Sequence, residues 1–384
     1  MRQQLAEQLD AAWGDGVLRR STRATLRSRL PPLAVAGAPP TVLRGFVRQE
    51  TLAETESSVV ELAYDVALGR EVVLKRLRLP SDADGGARLQ REARVAGRLE
   101  HVGVLPVHGL LATTEVGPVV VLSHLRGSTW ELAIERGGRS LRDHVEIAVA
   151  VARALAHAHA DGVLHLDVKP ANVLLGGYGE VCLTGWGEGG EDGVLPTVPV
   201  GTPAYAPLEV VRGAPCAQSD VYLLAGCLWH AATGRPPHDR TDVVAALLAS
   251  GEAPEPPAAL PGTLGALLAR ALSPVLAERP ASVEAFATEL QEFLRSLDSQ
   301  RVTDDVRESL GPNARISALE ESVQQLEAAL SLWPSNLEAR DLLADIRATL
   351  VHRFVQSGDL ASAERVAGGA DALPLAVRGD IERL

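Results

Sequence analysis

The stretch His165-Leu166-Asp167-Val168-Lys169-Pro170-Ala171-Asn172 decides how the chain is interpreted, and Gly185-Trp186-Gly187 follows it thirteen residues later. Taken alone, the first stretch and the apolar residues after it would fit a strand–turn–strand hairpin. Several other motifs stand in order on either side of it, however, and an ordered set is far more specific than any single motif. That order favours a loop over a hairpin for residues 165–172.

Strand-like segments precede this loop, and helical segments dominate after it. The predicted strands are residues 46–52, 57–65, 70–79 and 116–125. Helical patterns occupy residues 88–101 and 143–162, and Gly162 is suited to end the second of them. We therefore expect an α+β protein in which a strand-rich lobe is followed by a helical lobe.

An amino-terminal extension is expected at residues 1–45. Leu5, Leu9 and Trp13 recur at helical spacing, and Ser21 is placed to cap a second short helix. The arginines of this extension are interpreted as a solvated face.

Residues 299–384 form a third region, in which amphipathic helical segments are separated by short breaks. Small and large apolar residues alternate there at helical spacing, and the region resembles tetratricopeptide repeats. At most about two units fit, fewer than a free-standing array needs. A helical bundle that caps the large lobe is the alternative.

Composition excludes several classes of function. Lys and Arg number 37 and Asp and Glu 49, so the net charge is 37 − 49 = −12. A protein that grips nucleic acid needs a basic face, and this balance argues against one. The three cysteines have no metal-ligand spacing and indicate buried thiols of a reducing cytoplasm. We expect no signal peptide and no membrane span, hence a cytoplasmic protein.

The ordered motifs between residues 46 and 294 resemble a bacterial eukaryotic-type Ser/Thr protein kinase domain. The resemblance implies a bilobal kinase-like fold over residues 46–298. In that family the loop at 165–172 is catalytic. Asp167 then matches the base that orients the substrate hydroxyl, Lys169 the residue that steadies the transferred phosphate, and Asn172 the second metal ligand.

The resemblance also assigns residues to nucleotide binding. Lys75 matches the lysine that holds the α- and β-phosphates, and Glu92 matches the glutamate that pairs with it. Residues 121–125 match the hinge, where Leu122 would be the gatekeeper. Ser123 and Leu125 would present backbone groups to an adenine.

Three further residues match positions that maintain the fold. Glu209 and Arg279 correspond to a buried ion pair of the family, and Asp220 corresponds to the residue that braces the catalytic loop. Leu166, in contrast, replaces the arginine that usually receives an activation-loop phosphate. Phosphorylation of the activation loop would therefore have no arginine here to bind the phosphate and switch the protein.

The metal site departs from the family pattern. Gly185 occupies the position at which the family carries its metal-binding Asp. Asn172 is then left as a neutral substitute for that carboxylate, which argues against Mg²⁺ binding. Glu188, Glu191 and Asp192 follow closely and offer replacement carboxylates, but we interpret them as solvated loop acids.

The glycine-rich loop is altered as well. By spacing from Lys75 it falls on residues 52–60, where Ala53, Thr55 and Ser58 replace the three glycines. Glycine lets the backbone approach a phosphate, and these side chains hinder it. The acidic residues Glu54 and Glu56 are also expected to repel a phosphate.

Three functions follow from this combination. The first is a pseudokinase, a kinase fold that binds partner proteins, such as an active kinase or pathway components, with residues 299–384 as a second interaction surface. The second is an active, atypical Ser/Thr kinase with a substitute metal ligand. The third is a sensor that binds ATP without magnesium and without turnover. We favour the first, because the fold residues survive while the nucleotide loop and the metal Asp do not.

Overall fold

A computed structural model describes most of the chain between Val42 and Gly368. The described residues are 42–43, 45–55, 57–79, 82–113, 116–189, 202–238, 251, 254, 260–311 and 313–368. The expected helices of the amino-terminal extension, Glu56, Glu191 and Asp192 lie outside these ranges. The chain divides into two compact units, Met1–Ala287 and Thr288–Leu384.

An antiparallel sheet forms the first lobe. Its strands are β1 (Val42–Leu43), β2 (Phe46–Glu54), β3 (Ser58–Asp65), β4 (Arg70–Leu77), β5 (Val107–Thr113) and β6 (Gly117–Ser123), in the order β1-β2-β3-β4-β6-β5. β3 and β4 pair without a register shift, so Val60 lies directly opposite Lys75. Alternate residues of β4 and β6 face opposite sides, and both faces are apolar and buried.

Helix α1 (Ala83–Arg98) packs on one face of this sheet through Leu89 and Ala93. It begins five residues before the predicted start at Arg88, so that boundary was wrong. The reason is the Asp82 side chain, which accepts a hydrogen bond from the Gly85 N–H and caps the first turn. The cap outweighs the low helix propensity of the two glycines that follow it.

The second lobe is mainly helical. It contains α2 (Trp130–Arg136), α3 (Leu141–Ala160), α4 (Leu208–Val211), α5 (Ala217–Thr233), α6 (Gly262–Ala271) and the start of α7 (Val283–Ser309). A small sheet of β7 (Gly127–Thr129), β8 (Val173–Gly176) and β9 (Val181–Leu183) lies beside them, and 3-10 turns occupy Pro170–Asn172 and Leu276–Glu278. α3 and α5 pack together and are rich in buried apolar residues. The predicted α+β, bilobal fold class is confirmed.

The second unit is entirely helical in its described part. It contains the end of α7, then α8 (Ile316–Leu332), α9 (Leu337–Ser357) and α10 (Leu360–Ala367). α8 packs against α9, and α9 against α10, around an apolar core that includes Leu326 and Leu350. The Asn336 side chain caps α9 and donates to Ser299 and Thr303, which satisfies a buried amide. Among the described helices of the chain, none is long and apolar enough to span a membrane.

Candidate functional site

Asp220 on α5 holds the loop at residues 165–172 in place. Asp220, which is fully buried, accepts hydrogen bonds from the backbone N–H groups of His165 (2.9 Å) and Leu166 (2.8 Å). The His159 ring contributes a third bond to the same carboxylate at 2.8 Å. These bonds hold Leu166 at φ 63°, a conformation that L-residues rarely adopt. The bracing role expected of Asp220 is therefore present in the structure.

One hydrogen-bonded cluster contains the side chains of Asp167, Lys169, Asn172 and Thr202. Lys169 Nζ lies 2.9 Å from Asp167 Oδ2 and donates to the Thr202 hydroxyl at 2.7 Å. That hydroxyl in turn donates to Asp167 Oδ1 at 2.9 Å. The Asn172 amide donates to the backbone carbonyl and to Oδ2 of Asp167, at 2.8 and 3.0 Å. Sequence reasoning did not assign Thr202 to the site.

Lys75 and Glu92 form the expected pair between β4 and α1. The Lys75 ammonium lies 2.7 Å from each carboxylate oxygen of Glu92, and both side chains are largely buried. The pair ties α1 to the sheet, because Glu92 belongs to α1 and Lys75 to β4. Whether α1 stays in this position therefore determines whether Lys75 is held in the cleft.

Trp186, the middle residue of Gly185-Trp186-Gly187, is buried against the loop at residues 165–172. Its ring packs edge-on against His165, with centroids 4.6 Å apart, and its Nε1–H donates to the Leu183 carbonyl at 3.4 Å. Burial is the main reason that the pKa of His165 lies below its ordinary value; the neighbouring carboxylates of Asp220 and Asp167 oppose that shift. His165 is therefore a neutral part of the core that supports the loop.

A cavity of about 330 Å³ opens between the two lobes. Its lining includes the predicted residues Lys75, Glu92, Asp167, Lys169 and Asn172, together with Arg88, Gly185 and Glu188. Each of its cations meets a carboxylate: Lys75 meets Glu92, Lys169 meets Asp167, and Arg88 meets Glu188 at 3.1 Å. The formal charges in the cavity therefore cancel. Arg88 was missed at the sequence level, because its partner lies a hundred residues away.

The turn between β2 and β3 is closed by its own side chains. The Thr55 N–H donates to the Ser58 carbonyl at 2.9 Å, and the Ser58 N–H donates to the Thr55 hydroxyl at 3.0 Å. Both residues line the cavity. A backbone N–H that would otherwise be available to an anion is thus already engaged.

Glu54 lies at the end of β2, beside Arg78. Its carboxylate lies 3.3 Å from Arg78 Nε, both side chains are about half exposed, and Glu54 is not among the residues that line the cavity. Pairing of β2 with β3 continues to Glu54, opposite Val59, which places it on the sheet edge. Arg78 offsets part of the charge of Glu54, and the repulsion of a phosphate by Glu54 stays a prediction.

The expected hinge comprises the last three residues of β6 and the two residues after it. Leu122 is buried in the same apolar cluster as Val73 and Leu89, and the partly buried Leu125 packs against that cluster. The Ser123 N–H donates to the Pro106 carbonyl at 2.9 Å. Neither Ser123 nor Leu125 lines the 330 Å³ cavity, which is confined to the end of the cleft that holds the charged residues.

Comparison with known proteins agrees with this geometry. Residues 46–290, well over half of the chain, match the family model of the protein kinase domain. The chain belongs to the protein kinase family. Kinases of this family use ATP and magnesium in general.

Curated relatives of this chain include bacterial serine/threonine-protein kinases. It is 34% identical over 265 residues to PknK of Mycobacterium tuberculosis, a match that covers 65% of this chain and 24% of that protein. It is 36% identical over 211 residues to the DNA damage-responsive kinase RqkA of Deinococcus radiodurans (52% and 31% covered). It is 31% identical over 248 residues to PknB of M. tuberculosis (61% and 40% covered). The chain thus matches 24–40% of the length of these relatives.

The residues of the cleft do not fit the metal arrangement of a working kinase. Gly185 offers no oxygen ligand at the position of the metal-binding Asp, and both N–H groups of Asn172 are directed at Asp167. Asn172 can supply one neutral amide oxygen, whereas kinases combine this Asn with the Asp carboxylate that is absent here. Glu188, the described candidate for a substitute ligand, is paired with Arg88. In the described part of the chain, no group of three or more His, Cys, Asp or Glu side chains is placed to hold a metal ion.

The ion pair that maintains the fold of the kinase domain is present. Arg279 is 4% exposed and donates to both carboxylate oxygens of Glu209, at 2.7 and 3.1 Å. It also donates to the carbonyls of Ser273 and Gln218 and lies 4.7 Å from the centre of the Tyr222 ring. The expected Glu209–Arg279 pair is confirmed.

Proposed function

We propose that this kinase-fold protein is a pseudokinase, a regulatory or scaffolding protein that binds partner proteins and has weak or no phosphotransfer activity. One observation carries the proposal: Gly185 stands at the position that should hold the bridging metal, and Glu188, the described carboxylate close to it, is paired with Arg88. The cleft has the architecture of a kinase without the carboxylate that holds the bridging metal.

The expected effect of losing the metal-binding carboxylate is large enough to support the proposal. Phosphoryl transfer depends on positioning and charge neutralisation, and the metal ions supply most of the neutralising charge. At an effective dielectric of about 20, one pair of unit charges about 4 Å apart contributes roughly 4 kcal/mol. Loss of one such contact from the transition state corresponds to about a thousandfold in rate.

The closed turn at Thr55 and Ser58 supports it independently. In kinases a glycine-rich loop covers the phosphates. Here both residues line the cavity and the Thr55 hydroxyl accepts a hydrogen bond from the Ser58 N–H, so a phosphate would have to displace that bond before it reached the amide. The turn and Gly185 are separate obstacles to the same reaction.

The contacts among the retained kinase residues favour a second candidate, an active and atypical Ser/Thr kinase. Lys75 is held by Glu92, and the hydroxyl of Thr202 bridges Lys169 and Asp167. A base at Asp167 near the substrate hydroxyl would use this arrangement directly. The third candidate, a sensor that binds ATP without metal, needs only the cations Lys75 and Lys169.

We also propose that the protein is cytoplasmic, that its partners are proteins and not nucleic acid, and that residues 299–384 form a second, tetratricopeptide-like interaction region. The domain limits 1–45, 46–298 and 299–384 belong to this proposal. An amino-terminal extension, a kinase-like domain and a helical region would then have separate tasks.

Thermal shift with ATP separates the three candidates. The melting temperatures of the full chain and of its Lys75→Ala variant are measured with ATP alone, with ATP and Mg²⁺, and with ATP and Mn²⁺. The pseudokinase account predicts no shift that depends on a divalent metal. A shift with ATP alone that Lys75→Ala removes would favour the sensor. A metal-dependent shift accompanied by turnover would contradict the proposal and favour the active kinase.

A further inference from the structure

Four arginines run along the exposed side of α1. Arg88, Arg91, Arg94 and Arg98 are all exposed, whereas Leu89 and other apolar residues of the helix are buried against the sheet. We call these four residues the arginine stripe. At 3.6 residues per turn, Arg91, Arg94 and Arg98 fall within an arc of about 60°, and the stripe is about 15 Å long.

The stripe is unfavourable for the helix by itself. Its members are spaced at i, i+3 and i, i+4, the spacings at which like charges on a helix repel each other. The acidic residues at the ends of the stripe, Asp84 in the first turn and Glu100 just after the helix, are both exposed. The chain as a whole has a net charge of −12, so four arginines on one helical face stand out against its composition.

The stripe is also connected to the cleft. Arg88 donates to Glu188, which follows Gly185-Trp186-Gly187, and Glu92 on the next turn of α1 holds Lys75. The Arg88–Glu188 pair is partly exposed, so solvent screens it and a competing carboxylate can replace Glu188. A ligand on the stripe would therefore act on the same helix that positions Lys75.

We propose that the arginine stripe is a docking surface for an acidic segment, rich in Asp and Glu, of a partner protein. Guanidinium groups bind carboxylates in two-point contacts, and an extended segment of about five residues matches the length of the stripe. A long polyanion such as nucleic acid suits it less, because its phosphates beyond the stripe would meet an acidic protein. This inference rests on the proposed partner-binding function and names a surface for it.

Binding of a fluorescent decaglutamate peptide to the full chain tests the proposal. The stripe variant Arg91→Glu/Arg94→Glu keeps good helix formers on an exposed face and leaves Arg88 in place. Its control is Arg136→Glu/Arg153→Glu, two exposed arginines of α2 and α3, with the same change in net charge. We expect the stripe variant to bind about tenfold or more weakly and the control to bind like wild type.

Hydrogen exchange localises the contact. Decaglutamate should slow amide exchange within residues 83–98 of the wild-type chain and leave those residues unchanged in the stripe variant. Equal weakening by the control variant would contradict the proposal, because overall charge would then explain the binding. Tighter binding of a single-stranded oligonucleotide or of anionic lipid vesicles than of decaglutamate would contradict it as well.

A phosphotransfer assay on the same preparations keeps the two proposals separate. Metal-dependent turnover by the wild-type chain would contradict the pseudokinase function while leaving the peptide result intact. Absence of turnover together with equal peptide binding by all variants would contradict the docking surface alone.

Discussion

Gly185 lies so close to Asn172 that a Cβ atom placed on it would be 2.9 Å from the Asn172 amide nitrogen. The glycine adopts φ 88°, a left-handed conformation in which side chains are strained. A side chain at this position therefore requires the amide end of the Asn172 side chain to shift.

Gly185→Asp alone should therefore fail to restore robust magnesium-dependent phosphotransfer. Asp tolerates positive φ better than most residues, but the Asn172 side chain would have to shift and the turn at Thr55 and Ser58 would stay closed. The measurement is the transfer rate from ATP with Mg²⁺, with Gly185→Ala as the control for strain. Robust activity of the single variant would show that the turn is not an obstacle.

The closed turn at Thr55 and Ser58 and the missing carboxylate at Gly185 should show coupled effects in a double-mutant cycle. Restoring glycines at Ala53, Thr55 and Ser58 removes the side-chain bond that occupies the Ser58 N–H. The combination with Gly185→Asp should strengthen magnesium-dependent ATP binding by more than the sum of the two separate changes in binding free energy. Calorimetry on the four proteins of the cycle measures this coupling. Strictly additive effects would contradict a shared phosphate site.

The stability of the first unit should depend strongly on Arg279. Arg279→Ala leaves the Glu209 carboxylate without its partner in a largely buried place, and loss of one side of such a pair costs about 3–5 kcal/mol. The matched control is Arg142→Ala on α3, whose ion pair with Glu146 is about half exposed; that change should cost less than about 1 kcal/mol. Urea unfolding compares the two. Similar losses would contradict the structural role of the buried pair.

Stability should fall as the pH is lowered through the ordinary range of histidine, and His165 should contribute to that fall. Burial keeps the pKa of His165 below its ordinary 6.5 in the folded chain, so the unfolded chain binds the proton more readily. Its stabilising contribution is present above pH 6.5 and is lost as the pH falls below that value. One proton corresponds to a slope of at most about 1.4 kcal/mol per pH unit.

The test compares the slopes of unfolding free energy against pH. His165→Asn should flatten the slope below pH 6.5, whatever its effect on absolute stability. His352→Asn, which removes an exposed imidazole of α9, is the control. The same slope in wild type and His165→Asn would show that His165 is not held neutral by its burial.

Motif order was enough to predict the contacts that the kinase fold itself dictates. Lys75 and Glu92 come from different elements, yet their pairing followed from the positions of a strand and the next helix. The bracing of the loop by Asp220 and the pair of Glu209 with Arg279 were likewise foreseen. These residues keep their partners because the fold fixes where each element lies.

Contacts specific to this chain were not predictable from the sequence. Glu54 was expected to face a phosphate, but continued pairing of β2 with β3 places it beside Arg78. Thr55 and Ser58 were recognised as replaced glycines, whereas the bonds between them depend on the shape of the turn. The pair of Arg88 with Glu188 joins residues a hundred positions apart, and no local pattern indicates such a contact.

Phosphate transfer from ATP to protein, measured with Mg²⁺ and with Mn²⁺ on wild type and Asp167→Asn, tests the central claim most directly. Asp167→Asn keeps the size of the side chain but removes the carboxylate that would orient a substrate hydroxyl. The pseudokinase account predicts that wild type and variant give the same weak or undetectable transfer with either metal. Metal-dependent transfer by wild type that Asp167→Asn abolishes would contradict it.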